Sequence, residues 1–340
     1  MIISTAPFRI SFAGGGSDIP VYYRAKKGAV LSTSINKYMY ISVHPYFHQG
    51  ETLLKYSKNE LVRNPKDIVH PIFREAINEI CPQGGIELTS TADVPSGTGL
   101  GSSSSFTVAL LNALYAYKGK FCSKDKLAAK ACEIEIERLG EPIGKQDQYA
   151  AAHGGLNLIE FNPNETVLVT PVILPKHVVT ALESNLLLFY TGDQRDTREI
   201  LTDQCSEVST NKDKEANLSE MVGLAYEMRD QLLGGDLEGF ANSLHQGWVL
   251  KRTLSSRITN SRIEKFYERA REYGAIGGKL LGAGGGGFLL IYCNQQDQDS
   301  LRKALFDLFE MHFRFDWGGT RIIYVGDTWD QGGFITETGG

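Results

Sequence analysis

Between residues 95 and 103 the chain reads Pro95-Ser96-Gly97-Thr98-Gly99-Leu100-Gly101-Ser102-Ser103, and Ser104 and Ser105 follow at once. Three glycines at alternate positions let backbone N–H groups turn inward with no side chain in the way. Phe106, Ala109, Leu110, Ala113, Leu114 and Tyr117 then recur at three- and four-residue spacing, which predicts one apolar face of a helix. A helix start offers free N–H groups and the positive end of a dipole. The serine hydroxyls add donors and a potential ligand for Mg²⁺. Together these features predict a cradle for the phosphates of ATP. A flexible, serine-capped loop is the alternative, but such a loop has little need of so many small residues before a well-formed helix.

Composition bounds what surrounds that cradle. The chain has 340 residues, 42% hydrophobic and 22% charged, enough for substantial cores and, at roughly 100–200 residues per domain, for two domains. Its net charge is −5, whereas a nucleic-acid binder usually shows a basic face, so no nucleic-acid partner is expected. Positive charge for an anionic ligand must be concentrated locally. Cys81, Cys122, Cys132, Cys205 and Cys293 form no C-x-x-C pair and no Cys/His ligand spacing, which predicts reduced thiols in a cytoplasmic protein. Arg9 breaks the first hydrophobic stretch and no run approaches roughly eighteen apolar residues, so neither a secretory leader nor a membrane partner is expected. The sequence is silent on oligomeric state.

The element pattern reads as α+β. Strands are predicted at 38–44, 86–91, 156–161, 186–190, 288–293 and 321–325. Helices are predicted at 71–80, from the Ser-rich run to Tyr117, from an N-cap at Ser123 to near Gly140, at 146–152, from Arg195 to Leu250 with a break at Gly234-Gly235, at 260–273 and at 300–313. Strands and helices do not alternate regularly, which argues for two α+β domains over a doubly wound sheet. Prolines interrupt the pattern between Pro171 and Asn185, giving an N-terminal domain over 1–178 and a C-terminal domain over 179–340.

Two more glycine segments stand out. Arg9 and Asp18 flank the turn Gly14-Gly15-Gly16-Ser17, where a polar ligand can approach the backbone and Asp18 can accept hydrogen bonds from sugar hydroxyls. A strand, a turn and a helix cap would explain the same residues. Gly282 to Gly287 fits G-x-G-x-x-G, but a dinucleotide fingerprint opens a helix and here a strand follows. A backbone wall beside an active site, with Gly284 and Gly285 toward substrate, is the better reading.

Carboxylates complete the candidate set. Asp147, in Gly144-Lys145-Gln146-Asp147-Gln148-Tyr149, sits at a predicted helix start and can orient or deprotonate an attacking hydroxyl. Of Glu133, Glu135 and Glu137, only Glu135 shares the apolar face of Ala128, Ala131, Cys132 and Leu139. An inward carboxylate needs a partner, and Mg²⁺ would be one.

With these motifs in order, the chain resembles the GHMP kinases, the superfamily of galactokinase, homoserine kinase, mevalonate kinase and phosphomevalonate kinase. Pro95-x₃-Gly99-Leu100-Gly101-Ser102-Ser103 is similar to the family's phosphate loop, and Lys279 to Gly286 to its C-terminal glycine motif. The likeness implies a ribosomal-protein-S5-domain-2-like N-terminal domain and a ferredoxin-like C-terminal domain, with ATP and substrate meeting between them. It implies that Pro95, Gly97, Gly99, Leu100, Gly101, Ser102, Ser103 and Ser104 bind the nucleotide. By the same likeness Asp147 is the catalytic aspartate, Arg9 offsets charge at the transferred group, and Ser103 with Glu135 holds Mg²⁺. Where galactokinase carries Gly-Glu-His-Thr-Asp, this chain has Gly14-Gly15-Gly16-Ser17-Asp18. Phe12 to Pro20, with Tyr22-Tyr23 and Gly144 to Ala151, most closely resembles the D-glycero-D-manno-heptose 7-phosphate kinases, which implies transfer to an anomeric C1 hydroxyl. Arg24, Lys26, Lys27, Lys37 and Lys55 are then candidates for the sugar's existing phosphate. A kinase for fucose, galactose or an N-acetylhexosamine, or an inactive sensor on the same fold, are the other readings.

Overall fold

The computed structural model describes residues 1–48, 50–192 and 197–326. Its first sheet is built on β1 (Ile2–Ala13) and β2 (Gly28–Pro45), paired antiparallel along most of their common length. Alternation explains β1: Phe8, Ile10 and Phe12 enter the core from one face, leaving Arg9 and Ser11 on the other. A short helix opened by proline, α1 (Pro20–Tyr23), joins these strands. After β2 come β3 (Thr52–Lys55), β4 (Asn59–Val62), α2 (Pro71–Ile80) and β5 (Ile86–Ala92). The Ser-rich run opens α3 (Ser102–Tyr117), followed by α4 (Lys124–Cys132), α5 (Gln146–His153), β6 (Leu156–Phe161) and β7 (Val167–Pro171). β2 is long enough to serve two partners on its far edge: residues 28–33 pair with β6 and residues 39–45 with β5.

Two local details differ from the periodicity argument. α3 is buried on more than one face, with Val108 and Leu111 as inaccessible as Ala109 and Leu110, because it lies inside the domain. The helix from Ser123 does reach the region before Gly140, but its last turn, Glu133–Arg138, widens into a π-helix.

The second sheet follows α6 (Lys176–Asn185) and begins with β8 (Leu186–Tyr190). Three helices, α7 (Thr197–Thr210), α8 (Lys212–Gly234) and α9 (Leu237–Lys251), precede α10 (Ser261–Glu272). The expected start at Arg195 lies outside the described residues. The break at Gly234-Gly235 is there, and Asn211 makes a second by capping α8 with its side chain. Then come β9 (Ala275–Leu280), β10 (Phe288–Cys293), α11 (Gln298–Ala304), β11 (Phe309–Glu310) and β12 (Arg321–Val325). The helix expected to reach 313 stops at Ala304, because Phe309 and Glu310 pair with β8 instead. β9 had no counterpart in the sequence reading, and it turns the third glycine run into the loop of a β-hairpin.

The sheet orders are β12-β1-β2-β5-β3-β4, with β6 and β7 beside β2, and β11-β8-β10-β9. β12 thus leaves the C-terminal sheet and pairs with β1, Ile2 opposite Val325. Residues 314–316 already bind the first sheet through Asn36 N to Arg314 O (2.8 Å) and Asp316 N to Ser34 O (2.9 Å). The division expected near 178 is therefore one of chain order, and the closing strand crosses it. Among the described residues no helix is long and apolar enough to cross a membrane.

Candidate active site

A cleft of about 870 Å³ lies between the two sheets, lined by the 95–103 loop, β1, the start of α5, α7, the end of α9 and the β9–β10 turn. Pro95, Gly97, Gly99, Gly101, Ser102, Ser103 and Ser104 all face it. Leu100 does not; its side chain is buried and its carbonyl accepts from Arg9 N at 3.1 Å. Gly101 caps α3 at φ 76°, a left-handed angle that aims the first turn of the helix at the cleft. The β9–β10 turn stands against this loop. A side chain at Gly282 would begin 2.4 Å from Gly99 Cα, and Phe288 N donates to Thr98 O at 3.2 Å. Gly282 and Ala283 line the cleft, whereas Gly284 and Gly285 do not. They pack on Ile258, whose carbonyl accepts from Gly285 N at 2.8 Å, so the expectation that both face substrate is corrected.

Arg9 and Asp147, 138 residues apart, form a two-pronged pair: Nε to Oδ1 and Nη2 to Oδ2, both 2.7 Å. The remaining Arg9 nitrogen, Nη1, donates to Gly99 O at 2.6 Å, which ties the pair to the phosphate-loop backbone. Asp147 keeps about a fifth of its side chain exposed to the cleft. Glu135 is fully buried, as its helical face predicts. Its carboxylate accepts from Ser103 Oγ and from Gln148 Nε2, each at 2.8 Å. Burial pushes its pKa up to about 7, against those hydrogen bonds, with the Asp147 charge adding to the rise. No three His, Cys, Asp or Glu side chains among the described residues gather as a metal cage. A carboxylate and a hydroxyl side by side, both hard oxygen donors, nevertheless fit Mg²⁺ of the kind that takes its other ligands from phosphates and water.

The glycine turn after β1 divides its labour. Gly14 and Ser17 do not line the cleft: Gly14 packs on Ala29 and Ser17 Oγ bonds the Ala29 backbone at 3.1 Å. Gly15, Gly16 and Asp18 do line it. Asp18 is almost inaccessible, and its oxygens are engaged by Gly16 N (2.9 Å), Gln146 N (3.2 Å) and Gln146 Nε2 (3.2 Å). Burial and the nearby Asp147 charge push its pKa up, against the backbone hydrogen bonds. It joins the turn to the start of α5.

The five basic candidates are also corrected. Arg24, Lys26, Lys27 and Lys55 are paired with Glu165, Glu215, Glu160 and Glu87, and Lys37 lines a different depression. None lines the cleft. Among the described residues, the Arg and Lys side chains that do are Arg9, Arg198, Lys251 and Lys279. Arg198 forms an ion pair with Glu141 across the cleft. Lys279 Nζ donates to Phe12 O at 3.0 Å, and Lys251 Nζ to Leu280 O at 3.1 Å and Gly282 O at 2.5 Å. Burial first, then neighbouring cations, pulls the Lys251 pKa down to about 7 and that of Lys279 well below its ordinary value. Sequence reasoning does not single out Lys251, although a signal is there: Phe240, Leu244, Trp248 and Lys251 follow one helical face, as Glu135 follows its own. The far end of the cleft is apolar and aromatic, with Met39, Tyr56, His70, Ile72 and Phe106. No local motif marks it, because these residues come from five separate elements and connections.

An arginine-clamped carboxylate beside a glycine loop at a helix start defines a phosphoryl-transfer type of cleft. Comparison with known proteins identifies the class. Residues 66–155 match the model of the GHMP kinases N-terminal domain, and residues 228–310 that of the GHMP kinases C-terminal domain. The chain belongs to the GHMP kinase family, whose members are ATP-dependent kinases. Within it, the chain is 30% identical over 315 residues to the D-glycero-alpha-D-manno-heptose 7-phosphate kinase of Campylobacter jejuni, covering 89% of this chain and 93% of that one. It is 26% identical to the galactokinase of Pyrococcus furiosus, covering 92% and 94%. A solved D-glycero-D-manno-heptose 1-phosphate kinase from Bacteroides thetaiotaomicron superimposes with a TM-score of 0.79 at 26% identity, over 96% of this chain and all of that one.

Proposed function

We propose that the protein is a sugar kinase that transfers the γ-phosphoryl group of ATP to the anomeric C1 hydroxyl of D-glycero-D-manno-heptose 7-phosphate. The observation that carries the reading is the Arg9–Asp147 pair, held against Gly99 on one side and beside the Gly15–Gly16 turn on the other. Similarity to the Campylobacter heptose 7-phosphate kinase supports the acceptor.

In this mechanism Asp147 receives or steers the proton of the attacking hydroxyl. Its two bonds to Arg9 fix the carboxylate's orientation. An anomeric hydroxyl suits a weak base, because the ring oxygen withdraws electrons and makes it more acidic than an ordinary alcohol. Arg9 also lies where it offsets charge at the transferred group. Residues 97–103 receive the phosphates with backbone N–H groups, and the aromatic end of the cleft takes the base. Ser103 and Glu135 would hold Mg²⁺, which when bound neutralises phosphate charge. Lys251 and Lys279 stand in the same lining, where an anion beside them would favour their charged forms.

Asp147→Asn should keep ATP binding, measured by calorimetry, and lose transfer by about 10²–10⁴-fold, the usual worth of a positioned general base. Substrate-dependent ADP release at the parental rate would remove Asp147 from this role. The acceptor is tested with a panel containing heptose 7-phosphate, heptose 1-phosphate, fucose, galactose and an N-acetylhexosamine, followed by phosphorus NMR of the product. A sensor would release no ADP with any of them.

A further inference from the structure

Two polar atoms in the cleft wall have no hydrogen-bond partner among the described residues: Ser11 Oγ and Gln146 Oε1. Ser11 is 6% exposed, yet it lines the cleft. A buried hydroxyl without a partner costs free energy, so its place at a cavity wall calls for a ligand.

These two residues lie beside the Arg9–Asp147 pair in sequence. Ser11 lies two residues beyond Arg9 on β1 and so shares its face of the strand. Gln146 immediately precedes Asp147 at the start of α5. Both atoms therefore come from the two elements that carry Arg9 and Asp147. Asp18 sets the orientation of the Gln146 amide. By accepting from Gln146 Nε2 it leaves Oε1 as the free end, and Oε1 can only accept.

Gly15 lies between them. A side chain there would begin 3.6 Å from Ser11 Oγ, 3.6 Å from Gln146 Nε2 and 3.9 Å from Gln146 Oε1. Its neighbours are glycines for backbone reasons. Gly14 sits at φ 82° with Ala29 O 1.9 Å from where a Cβ would be, and Gly16 sits at φ 101°. Gly15 has no left-handed angle and would meet nothing closer than ordinary contact. What the chain gains at Gly15 is empty space in front of two unpartnered polar atoms.

We infer that Ser11 and Gln146, across Gly15, form the subsite that reads a hydroxyl of the acceptor adjacent to the one phosphorylated. The ligand class is a polyol: its O–H donates to Gln146 Oε1 and its oxygen accepts from Ser11. This inference rests on the kinase reading above and adds two specificity-determining residues to it.

The test is a set of steady-state and binding measurements on the parent, Ser11→Ala and Gly15→Ala, with heptose 7-phosphate as the probe. Ser11→Ala should raise the acceptor KM about tenfold, the worth of one hydrogen bond of about 1.4 kcal/mol. The ATP KM should stay within about twofold. Tm should not fall, because no intramolecular bond is lost. Gly15→Ala should raise the acceptor KM at least as much, again without lowering Tm. An acceptor analogue lacking the hydroxyl that is read should lose affinity for the parent and lose nothing further for Ser11→Ala. An unchanged acceptor KM in both variants overturns the subsite and means the two atoms hold only water. The failure of the kinase reading looks different. If the parent binds heptose 7-phosphate in calorimetry but releases no ADP, weaker binding by Ser11→Ala still supports the subsite. If the parent binds no sugar phosphate, the subsite falls with the kinase reading.

Discussion

Behind the cleft wall at Ser103, and not itself in the lining, the carboxylate Glu135 has no exposure at all; in the lining, the amines of Lys251 and Lys279 are buried almost as deeply. Burial pushes the carboxylate up to about 7 and pulls both amines down, so it works against the charged form in each place. Their supports differ. Glu135 is met by side-chain donors, Ser103 and Gln148, which favour its charged form. The lysines are met only by backbone carbonyls of Phe12, Leu280 and Gly282, which belong to the strands and turn that shape the cleft. An acid behind one wall and amines in the lining suit a ligand that brings a cation to one and phosphate to the other.

The strongest way to break this contrast is Glu135→Gln. It keeps the shape and removes the charge, and its amide would face the Gln148 amide. With several kcal/mol of charge stabilisation at stake, the expected loss of kcat is about 10²-fold or more, with a raised Mg²⁺ requirement in a metal titration. Parental activity at parental Mg²⁺ would mean that the acid wall is not the metal's.

The second comparison is one of pH. Between its ordinary 4.5 and about 7, Glu135 holds a proton in the folded protein that the unfolded chain has released, so its contribution to stability falls as pH rises through that window. Lys251 behaves oppositely. Between about 7 and its ordinary 10.5 the unfolded chain holds a proton the folded protein lacks, so its contribution rises with pH there. At roughly 1.4 kcal/mol per unit, each arm is worth on the order of a few kcal/mol. Thermal melts of the metal-free protein from pH 4.5 to 10 should show Glu135→Gln flattening the acidic arm and Lys251→Met the alkaline arm. If Lys251→Met tracks the parent at every pH above 7, the amine is charged in the folded protein and the contrast between walls is lost.

The glycine loop and the helix it opens were readable from sequence because they are local. The 95–103 loop and its helix are continuous, and Glu135 keeps its inward face even though the turn carrying it widens into a π-helix. What holds the Asp18 carboxylate was not legible, because its partner Gln146 lies 128 residues away. The basic candidates failed for the same reason: nearness in sequence to the Gly14–Asp18 turn says nothing about which carboxylate each meets in space. β12 was recognised as a strand, but its return to β1 depends on a pairing of the two ends of the chain that no periodicity carries. Lys251 was readable in principle, since a lone cation on the face of Phe240, Leu244 and Trp248 is the mirror image of Glu135 on its own.

The smallest expected effect separates backbone angle from close approach, again one residue on each wall. Gly97 and Gly282 hold similar left-handed angles, φ 77° and 70°. A methyl at Gly97 meets nothing within 4 Å, whereas at Gly282 it would begin 2.4 Å from Gly99 Cα. Gly97→Ala therefore carries only the left-handed penalty of about 1–2 kcal/mol, and Gly282→Ala adds overpacking of about 1–3 kcal/mol against backbone that cannot yield without moving the phosphate loop. Tm should fall by about 2–4 °C for Gly97→Ala and by clearly more for Gly282→Ala. ATP affinity sharpens the result. Gly97 faces the cleft, so a methyl that barely changes Tm but weakens ATP binding marks the open space before it as the nucleotide's. Equal Tm losses for the two variants would show that the angle alone sets the cost, and that the contact between the glycine turn and the phosphate loop is loose enough to absorb a methyl group.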